Sequence, residues 1–192
     1  MSETKKNQEG IGRLIIVLGL ITFICALLLG VVNQVTKGQI EQNNIDTRNA
    51  AMAAIIEGAS FEDMNTTVPA PDKSTPAISG VYKATKDGAD AGYCIEVKPK
   101  GFGGEITMIV GIDASGSVAG VKVTGASETP GLGAKAQSDT DWIAQYQGAA
   151  ADGSLAVTKD GGTINAITGA TITSRAVTLG VNTAANYVAS LG

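Results

Sequence analysis

Histidine is absent from all 192 residues of the chain. Its absence removes the usual general base, the commonest metal ligand and any serine–histidine–aspartate arrangement. Cysteine is scarce too: Cys25 and Cys94 are the only two, too few for an iron–sulfur cluster or a c-type haem. One Trp, four Tyr and three Phe offer little on which bases could stack, and a net charge of −4 disfavours a phosphate backbone. No nucleic-acid partner is expected. Redox or group-transfer chemistry in such a chain has to come from a bound organic cofactor.

What is present is unevenly spread. The first 35 residues hold Lys5, Lys6 and Arg13 against Glu3 and Glu9, one net positive charge, so the remainder carries five net negative ones. From Leu14 to Val32 the chain reads LIIVLGLITFICALLLGVV, free of charge and with Thr22 as its one hydroxyl. At about 1.5 Å per residue such a helix covers roughly 28 Å, close to the hydrocarbon thickness of a bilayer. GVVNQVTKG lacks the small-residue site of a cleaved signal peptide. Phe23 and Ile24 before Cys25 do not make a lipoprotein box, and Ile15 stands where a pilin cut after Gly10 would carry glutamate. An uncleaved anchor is therefore expected. The basic residues before it predict a cytoplasmic N-terminus over residues 1–13, a span over 14–35 and an extracytoplasmic body over 36–192. Cys25 reads as a packing residue, and Cys94 has no partner in the body for a disulfide. With no charge in the span, this chain is not expected to build an ion path.

Residues 36–58 predict a helix continuing or following the anchor, stopped by Gly58. The stretch MNTTVPAPDKSTPAISG (64–80) holds three prolines and reads as loop. Then strand signals begin: VYKATKDGADAGYCIEVKP turns at a Lys-Asp-Gly, and GFGGEITMIVGIDASGSVAGVKVTG turns at Asp113–Gly116. About four antiparallel strands are expected, with Ile106, Met108, Val110, Val118, Val121 and Val123 facing a core. Asp139-Thr140-Asp141 opens a short helix, LAVTKDGGTINAI gives extended pieces, and TSRAVTLGVNTAANYVASL forms the last helix. On that helix Val177, Val181, Ala184, Val188 and Leu191 make one apolar stripe. Trp142 and Tyr146 follow the glycine-rich loop, within reach of a cofactor bound there, and a core role is the stronger reading for Trp142. The expected fold class is α+β, an antiparallel sheet with packed helices, preceded by one transmembrane helix.

Two glycine-centred segments stand out. In NAITGATITSRAV (165–177), a hydroxyl at the helix boundary is accounted for by capping. Capping leaves Gly169 and Ala170, between Thr168 and Thr171, unexplained. Small residues let a bulky group approach the backbone, and the open N–H groups of a helix start favour an anion. The stretch suits a phosphate, although it is no Walker A loop. In GASETPGLGAKA (125–136), Pro130-Gly131 marks a tight turn and Gly133 permits another. Glu128 and Thr129 set an acceptor and a hydroxyl at its entrance, as the polar edges of a cofactor require.

ETPGLG followed some forty residues later by ITGATITSRAV resembles the covalent-FMN domain of membrane electron-transport subunits, and KGFGGEITMIVGID and the single anchor extend the resemblance over nearly the whole chain. It is nearest to the G subunit of Rnf complexes, ion-translocating ferredoxin:NAD oxidoreductases, with the C subunit of the sodium-pumping NADH:quinone reductase next. The resemblance implies that the phosphate of FMN is esterified to Thr171, with Thr168, Gly169 and Ala170 recognised before it. It implies flavin contacts from Glu128, Thr129, Gly131, Leu132 and Gly133, and Thr171 as an attachment point rather than a catalytic nucleophile. It also implies a flavin transferase for maturation and membrane partners including a second flavin subunit and iron–sulfur subunits. Asn165 stands where the family motif begins with Asp; it keeps the shape and an acceptor but loses the charge. Two other readings stay open. One is the quinone-reductase C subunit or a stand-alone extracytoplasmic flavoprotein; the other is an anchored binding or pilin-like protein without cofactor.

Overall fold

The structure, a computed structural model, describes residues 2–70 and 75–191. It divides into two compact units, residues 1–46 and 47–192. Helix α1 (Ser2–Ile55) makes up the described part of the first unit and contributes its last residues to the second. No proline interrupts it. Its best 18-residue window has a mean hydropathy of 3.1 and no buried residue. Leu14, Leu18, Phe23 and Leu29 are among the exposed apolar side chains. A helical stretch apolar all round with none of its window buried fits hydrocarbon as its surroundings. The hydroxyl of Thr22 donates back to the Leu18 carbonyl at 3.0 Å, so it needs no other partner in lipid. The expected continuation beyond the anchor holds, since α1 ends at Ile55, just before Gly58 at φ +75°.

The second unit is built on one antiparallel sheet, a meander of β1 (Ser60–Asp63), β2 (Ala77–Lys86), β3 (Ala89–Lys98), β4 (Ile106–Asp113) and β5 (Val118–Ala126) in that spatial order. Asp87 and Gly88, at φ +53° and +80°, join β2 to β3 by the two-residue turn that matches strand twist. Asp113 closes the next turn by accepting the Ser115 and Ser117 N–H groups at 2.8 and 3.0 Å.

Helix α4 (Thr171–Ser190) covers one face, and residues 47–55 of α1 pack into a second, smaller cluster with side chains of the alternate parity. Along β4, Ile106, Met108, Val110 and Ile112 belong to the main core, while Ile109 joins Ala51, Met52, Tyr82 and Cys94 in the smaller one. Gly111 fits the same arrangement, because a Cβ there would come within 2.3 Å of Ile55 Cγ2. Burial pushes the Cys94 thiol up to about 12, so it stays protonated at neutral pH. The short helices α2 (Lys135–Ser138) and α3 (Thr140–Ile143) follow β5, with Trp142 edge-on to Tyr146 in the main core.

The α+β class and the core positions on β4 and β5 are as expected. Four details differ. Among the described residues there are five strands rather than about four, because β1 has only the four residues SFED and no alternation to betray it. The expected loop 64–80 is shorter: Val68 bridges Ile78 and β2 begins at Ala77, while residues 71–74 lie outside the described residues. The extended pieces at 155–167 enclose a 3-10 turn, Thr158–Asp160. Finally, the apolar stripe of α4 runs out at its end: Val177, Val181 and Ala184 are fully buried, but Leu191 is 40% exposed beyond the helix.

Candidate functional site

The two glycine-centred segments meet although forty residues separate them. The chain leaves β5 into a turn whose third residue, Gly131, lies at φ +76° and whose Leu132 N–H donates to the Thr129 carbonyl at 3.1 Å. Proline second and glycine at positive φ third are what a type II turn demands. The turn faces the start of α4. The cap position there is Ala170, and no side chain caps it. Ser174 serves the preceding loop instead: its hydroxyl accepts the Ile167 N–H at 2.9 Å and donates to the Ala170 carbonyl at 3.0 Å. The opening turn of the helix thus offers N–H groups without a hydroxyl laid over them.

Between the two segments lies a cavity of about 380 Å³. Of the residues singled out from sequence, Glu128, Thr129, Leu132, Gly133, Gly169, Ala170 and Thr171 line it. Gly131 shapes the turn and Thr168 is exposed; neither lines the cavity. Phe102, Lys159, Ile172 and Thr173 complete the lining, and sequence reasoning assigns the first three no place in the site. The GFGG segment containing Phe102 reads in sequence as part of a strand pair and of the family resemblance, with no role for Phe102 itself. Phe102 is 70% exposed, an unusual place for a large aromatic ring, and that exposure becomes visible only once the sheet is built.

Glu128 is the tie of the site. It is only 8% exposed, and its carboxylate accepts the Gly103 N–H at 3.0 Å and the Thr173 hydroxyl at 2.7 Å. One side chain therefore links the GFGG loop, the turn after β5 and the first turn of α4. The approach is close enough to need glycine at Gly133, where a Cβ would sit 2.4 Å from Glu128 Oε2 and 2.7 Å from the Thr173 hydroxyl.

The threonines of the motif are in three different situations. Thr173 is buried with its hydroxyl committed to Glu128. Thr168 is exposed outside the cavity lining. Thr171 is half-buried, lines the cavity, and receives a 3.0 Å hydrogen bond from Lys159 Nζ. Asn165 is exposed and engaged through its main chain, its carbonyl accepting Trp142 Nε1–H at 2.6 Å and its N–H donating to Gln145 at 2.9 Å.

A pocket with apolar walls, glycines that admit backbone approach and an uncapped helix start suits a flat, phosphorylated cofactor. The sequence pattern of the FMN-binding domain matches residues 101–186, a span that contains every lining residue of the cavity. The chain is 37% identical to the G subunit of the Na(+)-translocating ferredoxin:NAD(+) oxidoreductase complex of Acetobacterium woodii, an alignment covering 94% of each protein. It is 34% identical to the G subunit of the ion-translocating oxidoreductase complex of Vibrio parahaemolyticus, over 89% of this chain and 87% of that one. The counterpart in Salmonella typhimurium is 35% identical over 85% and 84%. The chain belongs to the family of G subunits of ion-translocating oxidoreductase complexes. It is a membrane-anchored flavoprotein of the FMN-binding class.

Proposed function

We propose that this chain is an electron-carrying subunit of a membrane-bound, ion-translocating ferredoxin:NAD oxidoreductase, with FMN esterified through its phosphate to Thr171. The observation that carries the attachment is the contrast among the threonines. Thr171 alone among those of the motif combines a hydroxyl at the cavity with a neighbouring cation, while Thr173 is occupied and Thr168 lies outside the lining.

The residues present fit the group. Thr171 would hold the phosphate, with the opening N–H groups of α4 and Lys159 beside it. Phe102, Leu132 and Ile172 give the cavity apolar walls for the ring system, and Gly133 and Gly169 keep those walls free of bulk. FMN, when bound, supplies one- and two-electron chemistry; the protein supplies attachment, orientation and an environment. Attachment through the phosphate leaves the ring unaltered and prevents loss of a cofactor held outside the cytoplasm. A flavin transferase installs it, and other membrane subunits, among them a second flavin carrier and iron–sulfur proteins, donate and accept electrons. The N-terminus lies in the cytoplasm and the flavin domain outside it, with residues 1–13, 14–35 and 36–192 as tail, span and domain.

The test is a denaturing gel viewed under ultraviolet light after co-expression with a flavin transferase. Wild-type protein should retain a fluorescent band, and Thr171→Ala should lose it completely. A dark wild-type band would remove the covalent reading. A fluorescent Thr171→Ala band would move the attachment elsewhere in the motif.

A further inference from the structure

Two adjacent residues of one turn reach the first turns of α4. The turn Thr158–Asp160 ends in Gly161 at φ +86° and is fastened across its base. The Thr158 N–H donates to the Ile164 carbonyl at 2.8 Å, and the Ile164 N–H to the Ala156 carbonyl at 3.1 Å. A Cβ at Gly162 would lie 2.0 Å from the Ala156 carbonyl oxygen, so the chain closes here only around a glycine. From this turn Asp160 takes the Arg175 guanidinium in paired hydrogen bonds, Nε donating at 2.7 Å to one oxygen and Nη2 to the other. Lys159, the next residue back, donates from Nζ to Thr171 Oγ1 at 3.0 Å. Thr171 and Arg175 stand four residues apart on one helical face, so the two contacts lie side by side.

This arrangement divides the charges. Arg175 occupies the carboxylate of Asp160, the residue next to Lys159 in the chain, while the Lys159 ammonium donates to the Thr171 hydroxyl. Among the described residues lining the cavity, Lys159 is the one basic side chain, and the one acidic side chain, Glu128, is bound to Gly103 and Thr173. An ammonium has donors only, so it takes a lone pair of Oγ1 and leaves the hydroxyl proton free to leave in another direction. A neutral hydroxyl draws little from a cation; the same oxygen carrying a phosphate would draw much more.

We propose that Lys159 is a phosphate-binding residue of this site, orienting the Thr171 hydroxyl before modification and serving as counter-charge to the phosphodiester afterwards. The proposal rests on the reading of Thr171 as the attachment residue. It is tested on the full chain in detergent, co-expressed with a flavin transferase, by intact mass of wild type, Thr171→Ala, Lys159→Met and Lys159→Arg. The expected result is a flavin mass on wild type and none on Thr171→Ala, a loaded fraction at least about threefold lower in Lys159→Met, and near wild-type loading in Lys159→Arg, which keeps the charge. Loading of Lys159→Met equal to wild type, or a loss in Lys159→Arg as deep as in Lys159→Met, would overturn the phosphate-binding role and leave the attachment standing. A wild-type protein without flavin mass would overturn the attachment, and this proposal with it.

Discussion

Thr171, Thr173 and Thr168 carry the same side chain within six residues, and their surroundings set them apart. Thr173 is spent on Glu128, Thr168 faces solvent, and Thr171 meets both a cavity and a cation. The Glu128 carboxylate accepts from two elements at once, so its removal unfastens the GFGG loop and leaves the buried Thr173 hydroxyl unpartnered, the latter a loss of about 1–3 kcal/mol. Glu128→Ala is therefore expected to lower the thermal midpoint by several degrees, at roughly 2–4 °C per kcal/mol for a domain this size. Glu128→Gln, which retains one acceptor, should lose less. A melt of Glu128→Ala indistinguishable from wild type would contradict the tie. Motif reading singles out Glu128, Thr129, Gly133 and the Thr168–Thr171 segment because hydroxyls, an acceptor and glycines cluster there, and the family resemblance adds Leu132 and picks Thr171 as the attachment point. Both miss Phe102, Lys159 and Ile172 as parts of the site, because nothing in a lysine or an exposed apolar side chain announces what stands opposite it across the fold.

At the scale of elements, the site depends on a short turn fastened to a long helix. The paired hydrogen bonds from Arg175 hold the Asp160 carboxyl below the usual carboxylate range. A carboxylate whose pKa is lowered by folding gives its full stabilisation above its unfolded value near 3.9 and loses it as pH falls through the folded value. The clamp should thus be complete from neutral pH down to about 5 and open only below about 4. Followed by NMR, Asp160 is expected to titrate below its ordinary value, with the amide signals of the turn moving in step, and Arg175→Gln should return its midpoint to the ordinary value. An ordinary midpoint in wild type would mean that the pair does not persist in solution. The long helices and the paired strands are legible as elements, since each carries its periodicity along many residues. The four-residue strand β1 and the four-residue helix α2 are not, because so short a segment is stabilised by its neighbours rather than by its own pattern.

For the whole molecule the consequence of the proposed function is sidedness. The cysteines make this testable with little background, since Cys25 lies in the apolar span and Cys94 is buried with its thiol pushed up to about 12. A membrane-impermeant maleimide added to spheroplasts should label Ser138→Cys, a position exposed on the flavin domain. The same reagent should reach Ser2→Cys only after the membrane is permeabilised. The reverse pattern would place the domain in the cytoplasm and remove the argument that covalent attachment guards against loss of the flavin to the exterior.

The apolar span, the alternating strands, the striped final helix and the two segments from which a cofactor site is built are set by the order of residues alone. All of these are properties of neighbours along the chain, where hydrophobic period, turn residues and charge can be read in order. The tertiary structure alone decided that the two segments share one cavity, that Glu128 joins three elements, and which threonine is left to face Lys159. Those depend on side chains brought within hydrogen-bonding distance from 12 to 45 residues apart, and no local pattern encodes a partner at that separation.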